Sequence, residues 1–189
     1  MIPTLSHGKL MNNLSRNSRV KMSKARRLAL DGAMLCVALA LSYLESILPA
    51  WTLVPLPGVK PGLANIVTVL LVRRGYVADA AAVSFARICL SAMLFGGPVS
   101  YFISLSGGAF AFFALCVCTY ALGKFVGPLG TSVMSAAAHN IGQIFAVSVI
   151  MSPTAAIAYL PVLLFASLFT GTITGIILIL LDRVKFPLS

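Results

Sequence analysis

Residues 99–122 read VSYFISLSGGAFAFFALCVCTYAL, with no charged side chain anywhere in the stretch. At about 1.5 Å per residue, a helix of this length reaches roughly 36 Å, enough to cross a hydrocarbon core of about 30 Å. A helix apolar on every face over that distance has no wet side and belongs in a bilayer. Similar stretches flank it. Leu28–Leu48, Tyr76–Leu94, Thr131–Met151 and Ala155–Leu181 are each long and apolar enough to span. Gly62–Val72 is apolar but reaches only about 17 Å as a helix, so it reads as a short tilted helix or a half-span. Pro49, Pro55, Pro57 and Pro61, with Gly58, mark the segment before it as a loop.

Composition agrees. The chain has 189 residues, 59% of them hydrophobic and only 10% charged, against roughly 25% charged in a soluble domain. The expected fold is an all-α membrane bundle of about six spans with a short second helix and no soluble catalytic domain. Residues 1–27 form a basic tail, 28–183 the membrane domain and 184–189 a short tail. The first apolar stretch lacks a small-residue cleavage site at its far end and reads as a signal anchor.

The net charge of +10 does not point to nucleic acid. Seven of the fourteen basic residues, Lys9, Arg16, Arg19, Lys21, Lys24, Arg26 and Arg27, precede the first span, and no stripe interleaves them with aromatics. With that tail inside and six crossings, Arg73, Arg74, Lys124, Arg183 and Lys185 also fall inside, and only Lys60 falls in an outer loop. This satisfies the positive-inside rule, places both termini in the cytoplasm, and requires the short second segment to cross. The location expected is the cytoplasmic membrane of a prokaryote, in contact with lipid.

Polar residues inside the spans are the candidates for function, because ionisable groups in a bilayer face the bundle interior or a cavity. They are Glu45 in the first span, Asn65 at the start of the second, Arg87 and Ser91 one turn apart in the third, and Ser106 before Gly107–Gly108 in the fourth. His139, Asn140 and Gln143 follow in the fifth, with His139 and Gln143 sharing a face. With Lys60, most lie in the outer half and describe a pocket open to the outside, in which Arg87 and Lys60 favour an anion. The alternative is purely structural: Glu45 pairs with Arg87, and the fifth-span cluster is interhelical hydrogen bonding. Ala29 and Ala33 form a small-xxx-small pair on the first span, with Gly32, Cys36 and Ala40 as a second ridge, suited to close approach of another helix.

Some chemistry is missing. The four acids, Asp31, Glu45, Asp79 and Asp182, are scattered, whereas magnesium-dependent diphosphate chemistry needs clustered carboxylates. There is no P-loop, so ATP hydrolysis would belong to another subunit. Cys36, Cys89, Cys116 and Cys118 lie in apolar runs and read as packing residues; no cofactor or metal site is expected.

Several stretches in order carry a resemblance: Ala40–Ser46 (ALSYLES), Pro57–Ile66 (PGVKPGLANI), Arg87–Ser91 with Phe95-Gly96-Gly97, Ser104–Gly108 (SLSGG) and Ala138–Gln143 (AHNIGQ). From about residue 28 to 150 the chain resembles a bacterial family labelled both Gx transporter and heptaprenyl diphosphate synthase component I. Pro61 stands where the family pattern has Leu and stiffens the outer loop. That family is in turn similar to the S components of energy-coupling factor (ECF) importers, six-helix proteins that bind a small molecule near the outer face. S components dock on a transmembrane coupling subunit driven by two ATPases, through small residues of the first helix. The resemblance implies one of two roles. One is a substrate-capture subunit, with Glu45, Lys60, Asn65, Arg87, Ser91, Ser106, His139, Asn140 and Gln143 around a small anionic ligand and Ala29 and Ala33 at the docking face. The other is a non-catalytic membrane component serving a polyprenyl diphosphate synthase subunit. The outer-half position of the polar residues favours the first.

Overall fold

The computed structural model describes residues 23–47, 62–123, 125–150 and 153–183. It is helical, with no strand among these residues: α1 Lys24–Ile47, α2 Ile66–Arg73, α3 Val77–Ser91, α4 Gly97–Cys116, α5 Pro128–Ile150 and α6 Pro153–Arg183. A 3-10 turn, Leu63–Asn65, leads into α2, and wide π turns at Ala92–Gly96 and Val117–Ala121 close α3 and α4. In hydrocarbon a spanning segment must satisfy its own backbone, which is why every apolar run becomes a helix. Lys60 and the proline-rich loop lie outside the described residues.

Four segments among the described residues are long and apolar enough to cross a membrane: Lys24–Ile47, Val77–Ala121, Pro128–Ile150 and Leu160–Leu181. The second of these is 45 residues long, about 67 Å as a straight helix and more than twice the bilayer core. It is not straight. Gly97 adopts φ 74°, ψ 174°, a conformation that side-chain-bearing residues avoid, and Pro98 starts the next helix directly after it. The chain therefore reverses, and Gly108 of α4 comes to lie against the Ile88 side chain of α3.

The remaining helices continue the up-and-down path. Ser106 Oγ of α4 donates to the Gly142 carbonyl of α5 at 2.7 Å. A Cβ placed on Gly142 would sit 2.7 Å from the Ser106 oxygen and 3.0 Å from the Gly107 Cα, so these two backbones touch. On the other side of α5, Gly171 and Gly175 of α6 make a small-xxx-small face that rides on the α5 backbone. Their Cβ positions would fall 2.6 Å from the Val133 Cα and 2.9 Å from the Leu129 Cα.

The short helix α2 is the centre of the bundle rather than a lipid-facing span. Every residue from Ile66 to Val72 is buried, and its core cluster draws on Met34 and Ala38 of α1, Ala80 and Val83 of α3, Leu115 of α4 and Leu178 of α6. A helix apolar on all sides is at rest only when surrounded. Because protein and not lipid surrounds α2, its length does not have to match the bilayer. One end of the bundle is pinned by polar contacts. Arg27 at the start of α1 grips Asp79 at the start of α3 through Nε and Nη2, at 2.9 and 2.6 Å. Arg74, just past α2, donates to the Leu181 carbonyl of α6 at 3.3 Å. These basic residues are among those that the charge pattern assigns to the cytoplasmic side.

The burial pattern is inverted relative to a soluble protein. Phe113 and Val149 are 72% and 73% exposed, while Ser135 and Gln143 are wholly buried. Apolar surface facing outward and polar side chains facing inward is the arrangement a lipid solvent favours.

Candidate functional site

The site begins on α1, where Ser42 and Glu45 occupy one face a turn apart and are both buried. A carboxylate in that position needs donors. Glu45 Oε1 finds them in the backbone N–H groups of Leu63, in a close contact, and Ala64, at 3.4 Å. It thereby caps the turn that opens α2, whose first N–H groups would otherwise be orphaned inside the bundle. Gly62, at φ 85°, swings the chain into this position.

Arg87 of α3 faces the same space and is 6% exposed. Its Nη1 donates to Ser42 Oγ at 3.3 Å, and its Nε has no hydrogen-bond partner among the described residues. Glu45 supplies an opposing charge that acts on the guanidinium. Among the described residues an arginine so placed has exchanged its hydration for one long hydrogen bond, and a buried donor left unpaired is costly.

On the far side, α5 contributes His139 and Gln143 from successive turns. The Gln143 amide nitrogen lies 3.1 Å from His139 Nε2, so with the amide donating, the ring proton sits on Nδ1 and the imidazole is neutral. The ring is slotted between two glycines. A Cβ on Gly62 would come within 3.1 Å of Cδ2, and one on Gly107 within 3.0 Å of Cε1 and Nδ1. His139 Nδ1 and Gln143 Oε1 are both buried with no hydrogen-bond partner among the described residues. Below this pair, Asn65 donates to Ser135 Oγ at 2.9 Å, and Ser135 donates to the Ala111 carbonyl at 3.3 Å, which ties the α2 turn to α5 and α4.

The structure thus gathers Glu45, Asn65, Arg87, His139 and Gln143 around the Gly62–Asn65 turn. Other candidates lie elsewhere. Asn140 points toward α6 and donates to the Leu163 carbonyl at 2.7 Å. The Ser91 hydroxyl returns to the Ile88 carbonyl of its own helix at 3.2 Å. Ser106 binds the Gly142 carbonyl and borders an outward-facing apolar groove of about 490 Å³ with Phe102, Leu105 and Phe145. A second groove of about 490 Å³, around Cys89, Met93 and Tyr101, shares Phe102 with it; both open toward the lipid side and neither reaches the polar cluster. Ala29 and Ala33 are exposed, as are Gly32, Cys36 and Ala40, so the small ridge of α1 faces away from the bundle.

Sequence reading passed over Ser42 and Ser135. Each sits one helical turn before a polar residue it did select, Glu45 and His139, and that i to i+3 or i+4 spacing was the available signal. Among the described residues, no three His, Cys, Asp or Glu side chains gather closely enough to hold a metal ion. A family model described as heptaprenyl diphosphate synthase component I matches residues 34–181. No curated protein and no solved structure matches the chain.

Proposed function

We propose that this chain, which belongs to the heptaprenyl diphosphate synthase component I family of membrane proteins, is a non-catalytic membrane subunit that captures a small, acid-bearing ligand from outside for import. The observation that carries this reading is Arg87: a guanidinium buried inside a spanning helix which, among the described residues, has Nε unpaired and only a serine hydroxyl on Nη1. Intramembrane charges of this kind default to function, and a guanidinium is suited to a carboxylate or phosphate. Glu45 holds the α2 turn in place, while His139 and Gln143 form the opposite wall. In this reading the protein lies in a prokaryotic cytoplasmic membrane with both termini inside. Ala29 and Ala33, on the exposed face of α1, form the docking surface for a transmembrane coupling subunit with its ATPases.

A second reading is favoured by the family's own description. Here the chain is a non-catalytic membrane component of a polyprenyl diphosphate synthase, assisting a separate catalytic subunit. The scattered positions of Asp31, Glu45, Asp79 and Asp182 leave the catalytic work to that partner. A gentle-detergent pull-down of the tagged chain from its native membranes, with mass spectrometry, separates the two. Recovery of ATPases and a transmembrane coupling subunit supports import. Recovery of a soluble subunit with paired aspartate-rich motifs overturns it in favour of the synthase.

A further inference from the structure

The basic side chains gather at one end of the bundle. Among the described residues, every cation but Arg87 lies there: Lys24, Arg26 and Arg27 open α1, Arg73 and Arg74 close α2, and Arg183 ends α6. Polar contacts tie these helix ends together. Arg27 holds Asp79 at the start of α3, and Arg74 reaches the Leu181 carbonyl of α6. The acids at this end are Asp31, Asp79 and Asp182, and Asp79 is buried and engaged by Arg27. The first turn of α1 contains no acid, although the helix dipole already makes that end positive, so Lys24 and Arg26 are not balanced by their own helix. Lys9, Arg16, Arg19 and Lys21 precede them in the sequence, and no acid comes before Asp31.

What surrounds these charges points to the partner. Lys24 and Arg26 are exposed, and Leu28, one turn on from Lys24, is 73% exposed. Leu115 of α4 shares a core cluster with Leu178 of α6, which brings the close of α4 to the same end. Just beyond it, Tyr120 and Phe125 are 62% and 87% exposed. Exposed cations beside exposed apolar and aromatic side chains make up the level where a protein meets lipid headgroups. A soluble anion would satisfy only the cations, and hydrocarbon only the apolar surface. We infer that this end of the bundle binds an anionic phospholipid, its phosphate against Lys24 and Arg26 and its chains against the apolar surface that begins at Leu28. The charge pattern assigns this end to the cytoplasmic side, where basic clusters next to a span attract anionic headgroups. The inference holds for either role of the subunit.

The test titrates the full chain in detergent micelles with phosphatidylglycerol or phosphatidylcholine of identical acyl chains, and counts bound lipid by native mass spectrometry. A basic residue at a membrane surface is worth a factor of about five toward anionic lipid, so Lys24 and Arg26 together supply about 25-fold. The wild type should prefer phosphatidylglycerol by at least that factor, and the preference should shrink as salt is raised. Lys24→Gln with Arg26→Gln leaves the Arg27–Asp79 contact in place. It should cost phosphatidylglycerol about 25-fold and phosphatidylcholine nothing. Glycerol 3-phosphate, the headgroup phosphate without chains, should not displace the bound lipid. Equal binding of the two lipids by the wild type overturns the inference and leaves the patch to an acidic protein. A double variant that keeps the wild-type preference overturns it as well, because the site then lies elsewhere. Displacement by glycerol 3-phosphate at lipid-like concentrations overturns the lipid in favour of a free phosphate. Should the double variant fail to accumulate, Lys24→Gln alone decides: a loss of about fivefold is expected, and no loss overturns the inference.

Discussion

Gly171→Ala should destabilise the bundle, and Gly32→Ala should not. The added Cβ at Gly171 would lie 2.6 Å from the Val133 Cα and 3.1 Å from the Val133 nitrogen. Both are backbone atoms, so no rotamer change relieves the clash. Restoring a carbon–carbon separation of about 3.5 Å requires α5 and α6 to part by about 1 Å. A gap of that size forfeits a quarter to a half of each contact along the interface, and overpacking of this kind costs about 1–3 kcal/mol. Alanine also gains about 1 kcal/mol of helix propensity over glycine. Gly32 supplies the control, because it lies within a helix and a Cβ there meets nothing within 4 Å. The propensity gain is common to both variants and cancels in their difference, leaving the clash. At about 2–4 °C per kcal/mol for a chain of this size, Gly171→Ala should melt about 2–12 °C below Gly32→Ala. Far-UV circular dichroism of the two variants in the same detergent measures the gap. A Gly171→Ala protein as stable as Gly32→Ala would refute the close α5–α6 crossing.

Arg87→Met should insert and accumulate normally but lose all ligand-induced thermal stabilisation; failure to accumulate would make Arg87 structural. Asn65→Ala removes the hydrogen bond to Ser135 and should cost about 0.6–1.7 kcal/mol, the range for interhelical hydrogen bonds in membranes. An unchanged melting temperature would show that this contact contributes nothing. Leucine at both Ala29 and Ala33 should abolish recovery of partner subunits in the pull-down while leaving the melting temperature alone, since both positions face outward. Unchanged recovery would remove α1 as the docking face.

Much was legible without coordinates. The apolar runs located the helices because each crossing needs about twenty apolar residues and must satisfy its own backbone, and both requirements are local. The observed helices begin and end within a few residues of those runs. Arg87, His139 and Gln143 stood out for the same reason, as polar groups where lipid would not tolerate them. Periodicity could not say which way each one points. In a soluble protein the polar stripe of a helix marks its outer face; in α4 and α6 both faces are apolar, and the signal that separates inside from outside is absent. Only the packing therefore sent Asn140 toward α6 and Gln143 toward the α2 turn, although they are three residues apart on one helix. The same holds for Glu45, whose carboxylate serves the N–H groups of Leu63 and Ala64. The eighteen or so residues between them carry no mark of that contact. The sequence alone showed where apolar helices would form and which residues were out of place in lipid. The tertiary structure decided which of those residues meet, because that depends on faces chosen between neighbouring helices and not on the composition of any one of them.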